Sequence, residues 1–431
     1  MNRPGQSLLS RLNFSAPHAD GKNSIKKDFK VQALLKILSQ LSSGHLKLTL
    51  PNGELREFGS HTDSLSADIQ IHDWSVFKQV MSHGDIGFAE SYIRGEWNTS
   101  DLQSILELAI RNRTILEKAI YGSRFGSILY RLKHWLRDNS KSGSRKNIHA
   151  HYDLGNAFYG LWLDPTMSYS SAWFSEGDKQ DLAHAQRAKI KRILDSLQTK
   201  PGAHILEIGC GWGGVMEEAL LSKRSVTGLT LSTEQKSFAE NRLAKIQSEI
   251  NTPASFEVRL QDYRDCQEQF EGIASVEMFE AVGEKHWPEY FQTVAKCLKA
   301  GGKACIQTIV IAEELFERYR HNTDFIQQYV FPGGMLPSRT SFKASAEKAG
   351  LQVDEEFAFG MDYAKTLCLW RDSFNQKIQE VRQLGFDEAF IRLWNFYLMY
   401  CAAGFSQKNI DVVQFTLSHK ISEASSDALQ A

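Results

Sequence analysis

The run LEIGCGWGG (206–214) sets four glycines, Gly209, Gly211, Gly213 and Gly214, between an apolar β-type stretch and a helical one. Glycine lets backbone approach a ligand without a Cβ clash, and a strand-to-helix bend of this kind lies at the carboxyl edge where α/β sheets bind ligands. The spacing is G-x-G-x-G-G, not the G-x-G-x-x-G of a dinucleotide site, and Glu207 stands just before it. A carboxylate there suits a ligand with a cationic methionyl amine rather than a pyrophosphate. Thr230, Leu231 and Ser232, with Gln235, follow the next apolar run and offer polar groups to ribose hydroxyls. Gln261 and Asp262 follow the third and can accept from an adenine amino group. Three successive strand ends thus read as a pocket for S-adenosylmethionine. Cys210, inside the loop, reads as a small residue that fits.

These groups need a sheet to hold them. AHILEIG (203–209), SVTGLTLS (225–232), FEVRLQD (256–262), GIASVEM (272–278) and KACIQTIVI (303–311) are apolar and β-rich, and helical stretches separate them. Such alternation predicts a mostly parallel sheet covered on both faces, an α/β Rossmann-like domain over residues 148–420. Upstream, residues 29–120 read as a smaller α+β domain with no cluster of catalytic side chains. Phe29 to about Leu41 has helical apolar spacing, Gly44–Gly59 alternates around Pro51-Asn52-Gly53 as a hairpin does, and Ala67–Asp73 is a third strand. WSVFKQVMSHG (74–84) and DLQSILELAIRN (101–112) suit helices, the second opening on the capping pair Ser100–Asp101. Residues 1–28 are polar and unpatterned, and are expected to be mobile.

Residues 121–147 form a basic connector. In RFGSILYRLKHWLRD, Phe125, Ile128, Leu129, Leu132, Trp135 and Leu136 recur at helical spacing, and over 124–146 seven Lys/Arg face one acidic residue, Asp138. A basic amphipathic helix with aromatics can lie among lipid headgroups, or it can bury the same stripe against its own protein. Elsewhere the charges balance. A net charge of −1 gives no field that would select a polyanion, so nucleic acid is not an expected partner. No run of about 18 apolar residues occurs, so nothing is expected to span a bilayer, and the N-terminus lacks the apolar core of a secretion signal. The six cysteines are scattered without metal-ligand spacing, as reduced thiols in a cytosolic protein are, and no metal is expected.

Two segments exceed what a nucleoside pocket needs. HAHYDLGNAFYGLWLDPTMSYSSAWFSEGD (149–178) precedes the cofactor loop, and DFIQQYVFPGGMLPS (324–338) follows the strand holding Gln307. Both are apolar and aromatic with a few polar groups, the makeup of a lipid-chain tunnel; taken alone, the first equally suits core packing. With LEIGCGWGG, GLTLSTEQ, LQDYRD, EMFEAVG and WNFYLMYCAAGF, they resemble the cyclopropane-fatty-acid synthases, in order, over roughly His149 to His419. GELREFG, GDIGFAESYIRGEW and DLQSIL resemble that family's N-terminal lipid-binding domain. The resemblance implies a bacterial, cytoplasmic enzyme, peripherally attached to the inner face of the phospholipid membrane. It would methylate the double bond of phospholipid acyl chains from S-adenosylmethionine. A homodimer is left open.

An isolated cis alkene is a feeble nucleophile, so the sulfonium must be held in line in a dry site. Transfer leaves a carbocation, which aromatic faces stabilise. Ring closure then needs a base for a proton of the new methyl group. The resembled enzymes use a bicarbonate held by a Cys, a Glu, a His and a Tyr. Carried over by motif, these positions are Ser171, Glu280, Gln307 and Tyr363, with the Ile309 backbone nearby; Tyr169 and Ser170 would lie over the methionine moiety. Ser171 departs mildly, since a hydroxyl still donates and accepts. Gln307 is uncharged where the family has an imidazole, though its amide can hydrogen-bond an anion. Ala281 also stands where many relatives carry His. The resemblance leaves three outcomes open: a cyclopropane, a methyl-branched olefin, or a non-catalytic lipid-binding protein.

Overall fold

The computed structural model describes residues 29–120, 154–177 and 179–420. The expectations for 1–28 and for the basic helix and linker at 121–147 lie outside the described residues.

The chain divides into two compact units, and the division differs from the one expected. Residues 318–332 and 367–409, assigned above to the cofactor domain, belong with 29–120. Helix Glu388–Ser406 supplies the reason. Its side chains from Phe390 to Phe405 are buried around nearly the whole circumference, so it must be surrounded by other elements of its unit. Arg392 places its guanidinium 3.9 Å from the Tyr92 ring centre and donates to the Trp97 carbonyl at 2.8 Å. Among the described residues, no helix is long and apolar enough to cross a membrane.

In this first unit, strands β1 (His45–Thr49), β2 (Leu55–Gly59), β3 (Ser66–Ile71) and β4 (Trp97–Asn98) form a sheet in the order β2-β1-β3-β4. The hairpin read from Pro-Asn-Gly is present, β1 and β2 pairing antiparallel with His45 opposite Gly59. Gly53 sits in its turn at φ 82°, an angle that favours glycine. Asp101 caps helix Leu102–Arg111, accepting from the N–H groups of Gln103 and Ser104.

The second unit is built on seven strands. These are β5 (His204–Ile208), β6 (Ser225–Thr230), β7 (Phe256–Leu260), β8 (Phe270–Val276), β9 (Leu298–Ile311), β10 (Leu351–Ala358) and β11 (Ile410–His419), in the order β10-β11-β9-β8-β5-β6-β7. The five apolar runs of the sequence are β5 to β9, all mutually parallel. Two further strands were not anticipated; β11 runs antiparallel between β9 and β10. Ile193, Met216 and Leu243, from three helices, share a buried core with Ile205, Val226 and Ala274 of the sheet. The carboxyl ends of β5 to β8, with the facing parts of β9 and β11, carry the residues considered next.

Candidate active site

β5 ends at Ile208, and the chain turns through Gly209, Gly211 and Gly213 at φ 82°, 50° and 83° before helix Gly214–Leu221. A Cβ on Gly209 would meet Met278 Cγ at 2.8 Å, whereas one on Gly211 would meet nothing within 4 Å. The loop therefore packs tightly at its base and leaves open space at its tip. Glu207 is buried, and its Oε2 has no hydrogen-bond partner among the described residues. Burial pushes this carboxyl well above the ordinary range, opposed by the charge of Lys189.

At the end of β6 the Thr230 hydroxyl donates to Gln235 Oε1 at 3.1 Å, and Ser232 Oγ accepts from the Gln235 N–H at 3.3 Å, capping helix Thr233–Glu249. Leu231 lies between them, partly exposed. The Gln261 N–H donates to the Thr230 carbonyl at 3.1 Å, tying the ends of β6 and β7 together. Asp262 is drawn aside: its two oxygens accept from Arg264 at 2.8 and 2.7 Å. The carboxylate expected to meet adenine is thus charge-paired within the chain.

The aromatic segment before the cofactor domain folds beside the glycine loop. Tyr159 lies 5.3 Å from Tyr169 and 5.1 Å from Trp212, ring centre to ring centre. Ser170 accepts from the Lys189 ammonium at 2.6 Å. Further along, the Ala172 N–H donates to Thr366 Oγ1 at 3.2 Å and the Phe174 N–H to Asp362 Oδ2 at 3.0 Å. The start of helix Gly360–Gln376, which carries Tyr363, thereby fixes this segment.

Three residues expected to hold an anion, Ser171, Gln307 and Tyr363, converge instead on Glu277. The Ser171 N–H and the Gln307 side-chain amide each donate to Glu277 Oε1 at 2.8 Å, and the Tyr363 hydroxyl donates to Oε2 at 2.5 Å. The Ser171 hydroxyl itself donates elsewhere, to the Ala172 carbonyl at 2.9 Å. Glu277 directly follows β8 and takes φ 49°, a left-handed angle costing a non-glycine residue on the order of 1 kcal/mol. Gln414, opposite Gln307 in the β9–β11 pair, donates to Gln307 Oε1 at 3.0 Å. With its oxygen so engaged, the Gln307 amide presents its NH₂ to Glu277.

Glu280 stands apart from that cluster. Its Oε1 accepts from the Ile309 N–H at 2.5 Å, and its Oε2 is shut off from solvent without a partner among the described residues. Burial first, and the Glu277 charge second, push its carboxyl up to about 8. Burial also raises Glu277, but Lys189 and the three donors pull it back. Both neighbouring carboxyls are thus raised; Glu277 has a cation and three donors working against burial, whereas Glu280 has the Glu277 charge added to it. Lys189, fully buried, is pushed down to about 8 by burial, with the Glu277 charge the largest opposing influence.

Glu277, Lys189 and Gln414 were absent from the expected site. SVEMFEAVG offers two carboxylates three residues apart, and the family motif drew attention to the second. The first lies at a strand's carboxyl end, where open α/β sheets place functional groups. Lys189 shares a buried helix face with Ala185 and Ile193; a lysine at four-residue spacing within an apolar stripe was the available signal.

Residues 139–415 match the model of the mycolic acid cyclopropane synthetases. The chain belongs to that family. Tuberculostearic acid methyltransferase of Mycobacterium tuberculosis (strain ATCC 25618 / H37Rv) is 36% identical over 404 residues, 89% of this chain and 91% of that protein. Cyclopropane-fatty-acyl-phospholipid synthase of Escherichia coli (strain K12) is 33% identical over 368 residues, 83% of this chain and 89% of that protein. A mycolic acid cyclopropane synthase solved with SAH and CTAB matches at TM-score 0.58 and 32% identity, covering 64% of this chain and 98% of that one. Coclaurine N-methyltransferase, 17% identical at TM-score 0.57, shares the fold alone. This cyclopropane synthetase-family chain is an S-adenosylmethionine-dependent methyltransferase, as the resemblance implied. When bound, S-adenosylmethionine supplies an electrophilic methyl group on a sulfonium. The open space at Gly211 and the unpartnered Glu207 oxygen fit such a donor.

Proposed function

We propose that the enzyme methylates the cis double bond of unsaturated phospholipid acyl chains and closes the product to a cyclopropane. The observation that carries this reading is the Glu277 carboxylate with three donors fixed on it. Attack of an alkene on a methyl group leaves a carbocation that must lose a proton from carbon. That step calls for a base that is anchored, ionised and sheltered from bulk water. Rings that can face a passing cation stand in the same segment as Ser171, among them Tyr169, with Tyr159 packed against it at 5.3 Å between ring centres. The phospholipid substrate is supported by the E. coli relative, named for acyl phospholipids. Without a membrane-spanning helix among the described residues, access to such a lipid is peripheral, and the basic segment 124–146 is its proposed docking element.

A second reading is favoured by Gln307. An amide cannot exchange a proton as an imidazole can, so the same carboxylate could take its proton from a neighbouring chain carbon, leaving a methyl-branched olefin. The M. tuberculosis relative is named a methyltransferase rather than a cyclopropane synthase, in keeping with this alternative. Monounsaturated phospholipid vesicles incubated with enzyme and S-adenosylmethionine test both. Lipid that gains one CH₂ is expected, with cyclopropane methylene signals by NMR; branched-methyl signals favour the second reading, and unchanged lipid overturns both.

A further inference from the structure

We propose that Glu277 is the catalytic base of this enzyme and that its carboxylate takes the place a bound bicarbonate would occupy. The proposal rests on the methyl-transfer reading above and names the group that completes it. The residues present do not fit a separate bicarbonate. An anion held at Ser171, Gln307 and Tyr363 would need their donors, and all three are already directed at the two oxygens of Glu277. Of the remaining members of the expected constellation, the Ile309 N–H is bonded to Glu280 Oε1 and the Ser171 hydroxyl to a backbone carbonyl; Glu280 Oε2, without a partner among the described residues, belongs to a carboxyl that stands apart from the three donors. Two planar oxygens on one carbon thus stand where the three-oxygen anion would, covalently attached to the protein.

The backbone supports the same assignment. A glycine at position 277 would accept φ 49° without strain, yet the chain keeps a glutamate there. Its main-chain N–H donates to the Gln307 carbonyl at 2.8 Å, so the residue is clamped at both backbone and side chain. A left-handed non-glycine residue so over-determined is typical of functional positions. Glu277 as a residue is only partly buried.

The reaction then balances on one residue. The alkene π pair forms the new C–C bond to the methyl carbon as the S–CH₃ bond breaks, and the sulfur leaves as a neutral thioether. A C–H pair of the transferred methyl group collapses onto the cationic carbon to close the ring, and its proton goes to a Glu277 oxygen. Exchange with water then returns that proton to solvent. No co-reactant beyond S-adenosylmethionine is consumed.

The test compares wild type with Glu277→Gln and Glu277→Gly, by turnover on monounsaturated phospholipid vesicles and by line broadening of ¹³C-bicarbonate in NMR. Turnover of the wild type is expected to be unchanged when bicarbonate is stripped from the buffer. Glu277→Gln, close to isosteric, is expected to lose about 10²–10⁴-fold in turnover with S-adenosylmethionine affinity by calorimetry within a few-fold. Glu277→Gly frees the three donors and is expected to broaden the bicarbonate signal where the wild type does not, with turnover partly restored by added bicarbonate. Bicarbonate binding by the wild type, or full turnover in Glu277→Gln, overturns the proposal. Wild type that leaves vesicle lipid untouched would instead fail the functional reading, and the NMR comparison would still decide whether Glu277 fills the anion site.

Discussion

Gln307 and Glu277 are bonded to each other twice, the Glu277 N–H donating to the Gln307 carbonyl and the Gln307 amide donating to Glu277 Oε1, both at 2.8 Å. The first bond extends the β8–β9 pairing one residue past the end of β8. The second aims the Gln307 amide, at the position where the resemblance implies an imidazole, at a carboxylate. An amide held at its other end by Gln414 can stabilise negative charge but cannot carry the proton away.

Tyr363→Phe removes the donor to Glu277 Oε2, one of the influences that lower this carboxyl against burial. Without it the carboxyl rises further, so at any pH on the acid limb a larger share is protonated and unable to act as base. The acid limb of the kcat/KM profile is expected to move to higher pH. The loss should be largest on the acid limb, about tenfold or more, and shrink as pH rises, on the scale of a hydrogen bond to a charged group. A uniform loss at every pH would assign Tyr363 to something other than tuning Glu277.

Glu280→Gln addresses stability. The Glu280 carboxyl is pushed from an ordinary 4.5 up to about 8. Between those values the folded chain keeps a proton that the unfolded chain releases, so stability falls as pH rises and the full penalty is present above about 8. Glutamine has no proton to lose and can still accept from the Ile309 N–H. The variant's Tm relative to wild type is therefore expected to climb steadily from pH 5 to pH 8, read by thermal melts. Its turnover should suffer far less than that of Glu277→Gln.

Gly211→Val places a branched side chain in the open space at the loop tip, at φ 50°. S-adenosylmethionine affinity is expected to collapse by calorimetry while circular dichroism shows a folded chain. Unchanged affinity in a folded variant would move the donor away from this loop.

The sheet and the glycine loop were legible because their signals are local. Five apolar runs became five parallel strands, and the bend after Ile208 needed its glycines. β10 and β11 were not, since β11 pairs antiparallel with a strand about a hundred residues earlier and its neighbours in sequence give no hint of that partner. The unit boundary failed for the same reason: helix Glu388–Ser406 reads as a core helix wherever it is placed, and only its contacts with Tyr92 and Trp97 say whose core. At the site, the motif singled out Ser171, Gln307 and Tyr363 but not Glu277, the carboxylate on which they converge. A motif transfers positions, and Glu277 answers to geometry that exists only after β8, β9 and helix Gly360–Gln376 have come together.

Arg131, Lys133 and Arg137 carry the docking proposal. If each meets an anionic headgroup at roughly 1 kcal/mol, changing all three to Gln should weaken binding to anionic vesicles by about tens- to hundreds-fold. The difference should shrink as salt rises. Equal sedimentation of variant and wild type with such vesicles would place the apolar stripe of 124–138 against the protein instead.

The fate of the transferred hydrogens tests the central claim most directly. Monounsaturated phospholipid vesicles are incubated with the enzyme and S-adenosylmethionine deuterated at the methyl group, and the acyl chains are weighed by mass spectrometry. Methyl transfer followed by removal of one methyl hydrogen and ring closure predicts acyl chains carrying two deuterons on the added carbon. Three deuterons retained would mean that the proton left from the chain and that the product is branched. Acyl chains with no deuterium at all would contradict the account.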